Sequence, residues 1–184
     1  MNICIFGASS SKIDKKYMDA GYNLGMTLAK AGHRIVFGGG NEGLMGATAK
    51  GAKSQNGYII GIIPEFFKSG DWEKLYDDCS EVIYTDGLSD RIELMKAMSD
   101  AFIITPGGLG TYHEFFDVYT NRALGRHPKP LILYNVNGYF DNLLKVLEQT
   151  AAENFMDKNR LNLIMVFNER QLDELTETLN LSSK

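Results

Sequence analysis

The glycines of this chain are not spread along it. They stand where apolar runs stop. Residues 2–6 are apolar and run into Gly7, residues 34–37 run into Gly38-Gly39-Gly40, and residues 101–105 run into Pro106-Gly107-Gly108-Leu109-Gly110. Each of these runs is short enough for a buried strand, and each glycine stop is followed by a segment of helical apolar spacing. Glycine at such a stop lets the chain turn sharply and lets a ligand approach the backbone. The pattern predicts strands at 2–6, 34–37, 58–63, 81–85, 101–105, 131–134 and 163–167. It predicts helices from Asp14 to Ala31 and over 44–55, 89–99, 111–124, 139–153 and 169–179. Residues 65–80 are irregular, with a helical turn expected around Trp72 and Tyr76. Apolar strands alternating with helices predict an α/β fold: one doubly wound, Rossmann-like domain over residues 1–184 with a parallel sheet covered on both faces. Ligands of such sheets bind beyond the carboxyl ends of the strands.

Composition narrows the function. At 184 residues, with 44% hydrophobic and 23% charged residues, the chain has the make-up of a soluble globular protein. No apolar run reaches the ~20 residues of a membrane helix, and the first apolar stretch is too short for a signal peptide. A cytoplasmic protein without a membrane partner is expected. The net charge of −4 disfavours nucleic acid as a partner. Cys4 and Cys79 form no metal pattern and are expected to be reduced thiols. His33 and His127 have no ligand spacing, so neither a metal nor a cofactor is expected.

Two glycine loops can carry chemistry. Gly38-Gly39-Gly40-Asn41-Glu42-Gly43 has the form GxGxxG, with Glu65 at 22 residues past Gly43. That matches a dinucleotide fingerprint and leaves an NAD(P)-dependent oxidoreductase open, although the fingerprint normally follows the first strand. Pro106-Gly107-Gly108-Leu109-Gly110-Thr111 opens a helix, where unpaired amides and the helix dipole favour an anion. Without a P-loop lysine it suits a phosphomonoester better than a triphosphate. Gly107, Gly108, Leu109, Gly110 and Thr111 are therefore candidate phosphate contacts. Ser9 after the first strand and Gly39 and Gly40 after the second are further candidates. Glu114 has two readings: the acidic end of a Thr111–Glu114 capping box, or a catalytic carboxylate beside a bound phosphate sugar. Arg91 is either a solvated surface residue or a charged fork reaching the ligand. Met95 is either core or the wall of an adenine pocket. His113 is a candidate general acid.

The segment Pro106-Gly107-Gly108-Leu109-Gly110-Thr111-Tyr112-His113-Glu114 resembles the PGGxGTxxE signature of the Lonely Guy family, and Gly38-Gly39-Gly40 with Gly43-Leu44-Met45-Gly46 resembles its GGGxxGLMG segment. The resemblance covers nearly the whole chain. It implies a cytokinin riboside 5′-monophosphate phosphoribohydrolase, which cleaves the N-glycosidic bond of an adenosine-type 5′-monophosphate to free base and ribose 5-phosphate. The older label of lysine decarboxylase finds no site here for pyridoxal phosphate chemistry. The resemblance assigns Arg91 and Glu114, 23 positions apart, as the catalytic pair. It adds Thr120 and Glu73 to the glycine loop as binding residues, and it implies a homodimer in which the helix from Arg91 to Met98 is a plausible contact. Two positions depart from the family pattern: Ile92 stands where a lysine is usual, and His113 where an acidic residue is common. A non-catalytic nucleotide or molybdenum-cofactor carrier on the same fold is the alternative.

Overall fold

The computed structural model describes residues 1–69 and 74–182. Seven parallel strands form one sheet: β1 (Asn2–Phe6), β2 (Arg34–Phe37), β3 (Ile59–Pro64), β4 (Glu81–Thr85), β5 (Ala101–Ile104), β6 (Leu131–Tyr134) and β7 (Met165–Phe167), in the order β4-β3-β2-β1-β5-β6-β7. Six helices connect or follow them: α1 (Lys15–Lys30), α2 (Gly43–Lys53), α3 (Leu88–Met98), α4 (Leu109–Ala123), α5 (Asp141–Ala152) and α6 (Leu172–Ser182). The expected alternation is present throughout, and the doubly wound, Rossmann-like parallel sheet is borne out.

Both faces of the sheet are covered, because successive strand residues point to opposite sides. Ile3 and Ile5 of β1 pack with α1, α2 and α6, through Leu24, Leu28, Ala49, Leu175 and Leu179. Cys4 and Phe6 pack on the other face with α3, α4 and α5, through Met95, Phe115, Val118 and Leu147. The strand order reverses between β1 and β5. The chain leaves β1 toward one face and β5 toward the other, so a crevice opens beyond their ends.

Helices α1 and α2 approach backbone to backbone. A Cβ placed on Gly25 would sit 1.9 Å from the carbonyl oxygen of Thr48, and one on Gly51 would sit 1.9 Å from that of Tyr22. Three loops then meet at Ala8. The Ala8 N–H donates to Pro106 O (3.0 Å), and the Met45 N–H donates to Ala8 O (3.0 Å). Gly43, at φ +64, lies where any Cβ would strike Ala8 O. Gly43, the last residue of the Gly38–Gly43 loop, is thus a packing requirement.

Residues 65–80 differ in part from expectation. A 3-10 turn covers Glu65–Ser69. Trp72 lies outside the described residues. Tyr76 is not helical: its N–H donates to Gly39 O (2.8 Å), and Leu75 forms an antiparallel bridge with Gly40. Cys4 and Cys79 are both free. Among the described residues no helix is long and apolar enough to cross a membrane.

Two predictions follow from this packing. Gly25→Ala should lower stability by ~2 kcal/mol or more, because the clash is with backbone and exceeds what helix propensity returns. Gly32→Ala, where φ is +81 and the space is open, should cost only ~1 kcal/mol. Urea unfolding of the two variants compares them. The second prediction concerns pH. Burial is the main cause that holds both His33 and His127 below the ordinary histidine value of 6.5. Their neutral forms stabilise the fold fully above that value, and the contribution is lost as pH falls below it. His33→Leu should therefore lose less stability than wild type between pH 7.5 and pH 5.5, by up to ~1.4 kcal/mol per pH unit. Unfolding curves at the two pH values test it.

Candidate active site

A cavity of about 340 Å³ occupies the crevice at the strand-order reversal. Its floor is Ile5, Phe6 and Gly7 at the end of β1, with Gly38 at the end of β2. Phe67, Met45 and Met95 form apolar wall, and Ser9, Ser10, Gly108, Gly110 and Thr111 form the rim. Arg91 and Glu114 line it side by side, as a pair in contact.

Helix α4 begins three residues earlier than the capping-box reading requires. Gly108 is the N-cap, in extended conformation, and no side chain caps the helix. Thr111 is the third helical residue, so the Thr111–Glu114 capping box is not formed and Glu114 is left for another role. Sequence misplaces this start because Leu109 reads as an apolar loop residue, whereas it is the first helical residue and is 89% exposed. The N–H groups of Leu109, Gly110 and Thr111 precede the first bond inside the helix, which Tyr112 N–H makes to Gly108 O (3.0 Å). These amides, at the positive end of the helix dipole, form an anion cradle. A Cβ on Gly108 or Gly110 would meet nothing within 4 Å. Neither residue has a positive φ, so the fold itself does not require glycine at either place. The open space is room for a ligand.

The loop behind the cradle is fastened. Tyr139 donates its hydroxyl to Gly107 O (2.6 Å). Gly107 has no room for a side chain, because its Cβ would lie 2.1 Å from Thr111 Oγ1. Thr105 Oγ1 donates to Phe6 O (2.9 Å), which ties the ends of β5 and β1 together.

Glu114 is 7% exposed. Arg91 Nη2 donates to Glu114 Oε1 at 3.2 Å, in a pair whose side chains are both largely buried. Arg91 Nε is buried without a hydrogen-bond partner, which leaves a donor for a ligand oxygen. The guanidinium also stands over the Phe67 ring, 5.9 Å from its centroid. Gly38 makes this possible, since a Cβ there would come within 3.1 Å of Arg91 Nη1.

The cavity brings together Ser9, Met95, Arg91, Gly108, Gly110, Thr111 and Glu114. Other expected contacts stand elsewhere. Gly39 packs on Ile63 and Gly40 bridges to Leu75, so the member of the glycine triplet that lines the cavity is Gly38. Gly107 lies behind the rim, and the Leu109 side chain points to solvent. Thr120 and His113 are exposed on α4 and do not line the cavity. Glu73 lies outside the described residues. Ile92 is buried on the inner face of α3. Sequence reasoning missed Phe67, Ser10 and Gly38, although each follows the carboxyl end of a strand in the half of the sheet that borders the crevice. Glu65, the acidic residue of the dinucleotide fingerprint, is paired with Lys68 at 2.6 Å. No cluster of metal-binding side chains occurs among the described residues.

A family model described as "Possible lysine decarboxylase" matches residues 45–179. The chain is 35% identical to a protein of Arabidopsis thaliana named cytokinin riboside 5′-monophosphate phosphoribohydrolase LOG2, over 95% of this chain and 82% of that one. It is 36% identical to the cytokinin riboside 5′-monophosphate phosphoribohydrolase of Mycobacterium tuberculosis, over 86% of this chain and 83% of the relative. In three dimensions it resembles the molybdenum cofactor binding protein of Rippkaea orientalis, with a TM-score of 0.70 and 24% identity over 97% of this chain and 96% of that one. It also resembles the molybdenum cofactor carrier protein of Chlamydomonas reinhardtii, with a TM-score of 0.69 and 21% identity over 98% and 96%. At these identities the solved structures share the fold alone.

Because the space at Gly108 and Gly110 is open, Gly110→Ala should leave the thermal midpoint within about 3 °C of wild type. The same variant should weaken binding of a nucleoside 5′-monophosphate at least about tenfold, since the new methyl group stands in the cradle. Differential scanning and titration calorimetry read the two effects separately.

Proposed function

The chain belongs to the Lonely Guy family, whose model carries the description "Possible lysine decarboxylase", and on that premise we propose that it hydrolyses the N-glycosidic bond of adenosine-type 5′-monophosphates, cytokinin riboside 5′-monophosphates among them. The observation that carries this reading is the buried Arg91–Glu114 pair set across a cavity from the helix-start amides. A 5′-phosphate in the cradle fixes one end of the nucleotide, and the reacting bond is then held at the pair. As the bond to the base breaks, positive charge develops on the ribose. The Glu114 carboxylate stands opposite that charge and takes the proton from the attacking water. Arg91 holds Glu114 through Nη2 and offers Nε to the ribose or phosphate oxygens. The base leaves against the apolar surface of Phe67 and Met95, and the proton that Glu114 takes from water balances the one the free base gains.

The same reading extends to assembly. Leu88 on α3, Phe116 on α4 and Leu124 just past its end are exposed apolar residues, and they support a homodimer joined through these helices. Thr120 would then lie on the face presented to the second copy. Light scattering should give twice the 20.5 kDa chain mass, and a monomer would overturn this part.

The central test is chromatography of AMP and isopentenyladenosine 5′-monophosphate after incubation with enzyme. Wild type should release free base. Glu114→Gln keeps the side-chain volume and a hydrogen bond to Arg91, and it should slow release by about a thousandfold or more. Intact nucleotide that is bound but never cut by wild type would overturn the hydrolase in favour of a binding protein on this fold.

A further inference from the structure

Arg91 and Glu114 are carried by different helices, α3 and α4, which also share the core cluster of Met95, Phe115 and Val118. Of the 11 residues of α3, only Ile92 and Met95 are buried. Leu94 and Met98 pack partly buried against the same core, whereas α4 buries five residues, so α3 has a lighter apolar seat than α4 although it bears one of the two paired charges. Five residues beyond Arg91 stands Lys96, whose side chain is 13% exposed. Its Nζ lies 2.7 Å from Asp117 Oδ2 of α4 and 2.6 Å from Glu93 Oε1 of its own helix. Asp117 follows Glu114 by three residues, on the same side of α4. The backbone end of the contact is held as well, because Lys129 Nζ donates to Lys96 O (2.6 Å). Two ion pairs therefore bridge α3 and α4 about one to one and a half turns apart. One faces the cavity, and the other lies below it.

We propose that the Lys96–Asp117 pair is the tie that seats α3 on α4 and so sets the separation of Arg91 and Glu114, which makes Lys96 and Asp117 positioning residues. The inference rests on the reading of Arg91 and Glu114 as the catalytic pair. A single hydrogen bond of 3.2 Å between two long side chains does not fix their geometry. Either side chain can follow a roll or slide of its helix. A second charge contact removes that freedom at the helix level, where a shift of ~1 Å at the reacting groups is enough to cost ~100-fold in rate. The half-buried setting of Lys96 strengthens the contact relative to a surface pair. Burial opposes the charge on Lys96, yet its bonds to Asp117 and Glu93 prevail and hold its pKa above the ordinary lysine value.

The test uses Lys96→Met, Lys96→Arg, Asp117→Asn and the double variant Lys96→Met/Asp117→Asn, with isopentenyladenosine 5′-monophosphate as substrate. Each charge-removing single variant should lower kcat about tenfold while KM moves less than about threefold. The double variant should be no worse than the poorer single variant. Lys96→Arg should stay within about threefold of wild type, because it keeps the charge and the reach. A second readout does not depend on turnover: amide hydrogen exchange over residues 91–98 should quicken about tenfold in Lys96→Met, with α1 unchanged. Additive losses, a rise in KM at unchanged kcat, or an arginine variant no better than methionine would overturn the tie. If wild type releases no base, the hydrolase reading falls and exchange alone judges the tie, with unchanged protection of α3 overturning it. If Lys96→Met does not fold, Asp117→Asn carries the same comparison. Failure of both to fold would also overturn the proposal, since the pair would then hold the whole fold rather than the place of one helix.

Discussion

The parallel pairing of β1 with β5 is the contact from which the site is built. These strands are far apart in sequence, and the helices that follow them leave toward opposite faces of the sheet. The gap beyond their ends is the cavity. Thr105 seals its base by donating both its N–H and its hydroxyl to Phe6 O. Ala8 then links the β1 loop to Pro106 on one side and to Met45 on the other. The rim is therefore tied together by main-chain hydrogen bonds, with the Tyr139 hydroxyl fastening Gly107 from behind.

Set in that rigid frame, the Arg91–Glu114 pair is an expense the fold need not bear. Taking two charges out of water costs several kcal/mol per ion, and a packed apolar pair of similar size is often as stable. A buried pair at a cavity wall is better explained by the ligand than by stability. The Lys96–Asp117 contact belongs to the same logic. It ties together the two elements whose relative place matters at the cavity, and it does so beside a helix with a thin apolar seat.

Most of the fold was legible because buried parallel strands are short apolar runs, and here each run ends at a glycine, proline or polar stop. The anion cradle was legible for the same reason. The start of α4 was not, because sequence cannot tell an exposed leucine from a buried one, and Leu109 stands in solvent at the first helical turn. The close α1–α2 contact was hidden too: glycines inside a helix read as weak helix formers until the facing backbone is seen. Phe67 and Lys96 needed partners distant in sequence. Phe67 gains its role from the Arg91 side chain over its ring, and Lys96 gains its role from an aspartate on another helix. Spacing along one chain carries neither relation.

The cradle at the start of α4 is made of main-chain amides and of the room left by two glycines, whereas the facing charges are two side chains on separate helices. On the proposed reading, main chain holds and side chains cut, so the two can change independently. A lineage that lost Arg91 and Glu114 would still have a working grip on a phosphate, and it could be kept for carrying what it can no longer break. A lineage that kept the grip could also try new charges at the opposite wall, one substitution at a time, without first giving up its ligand.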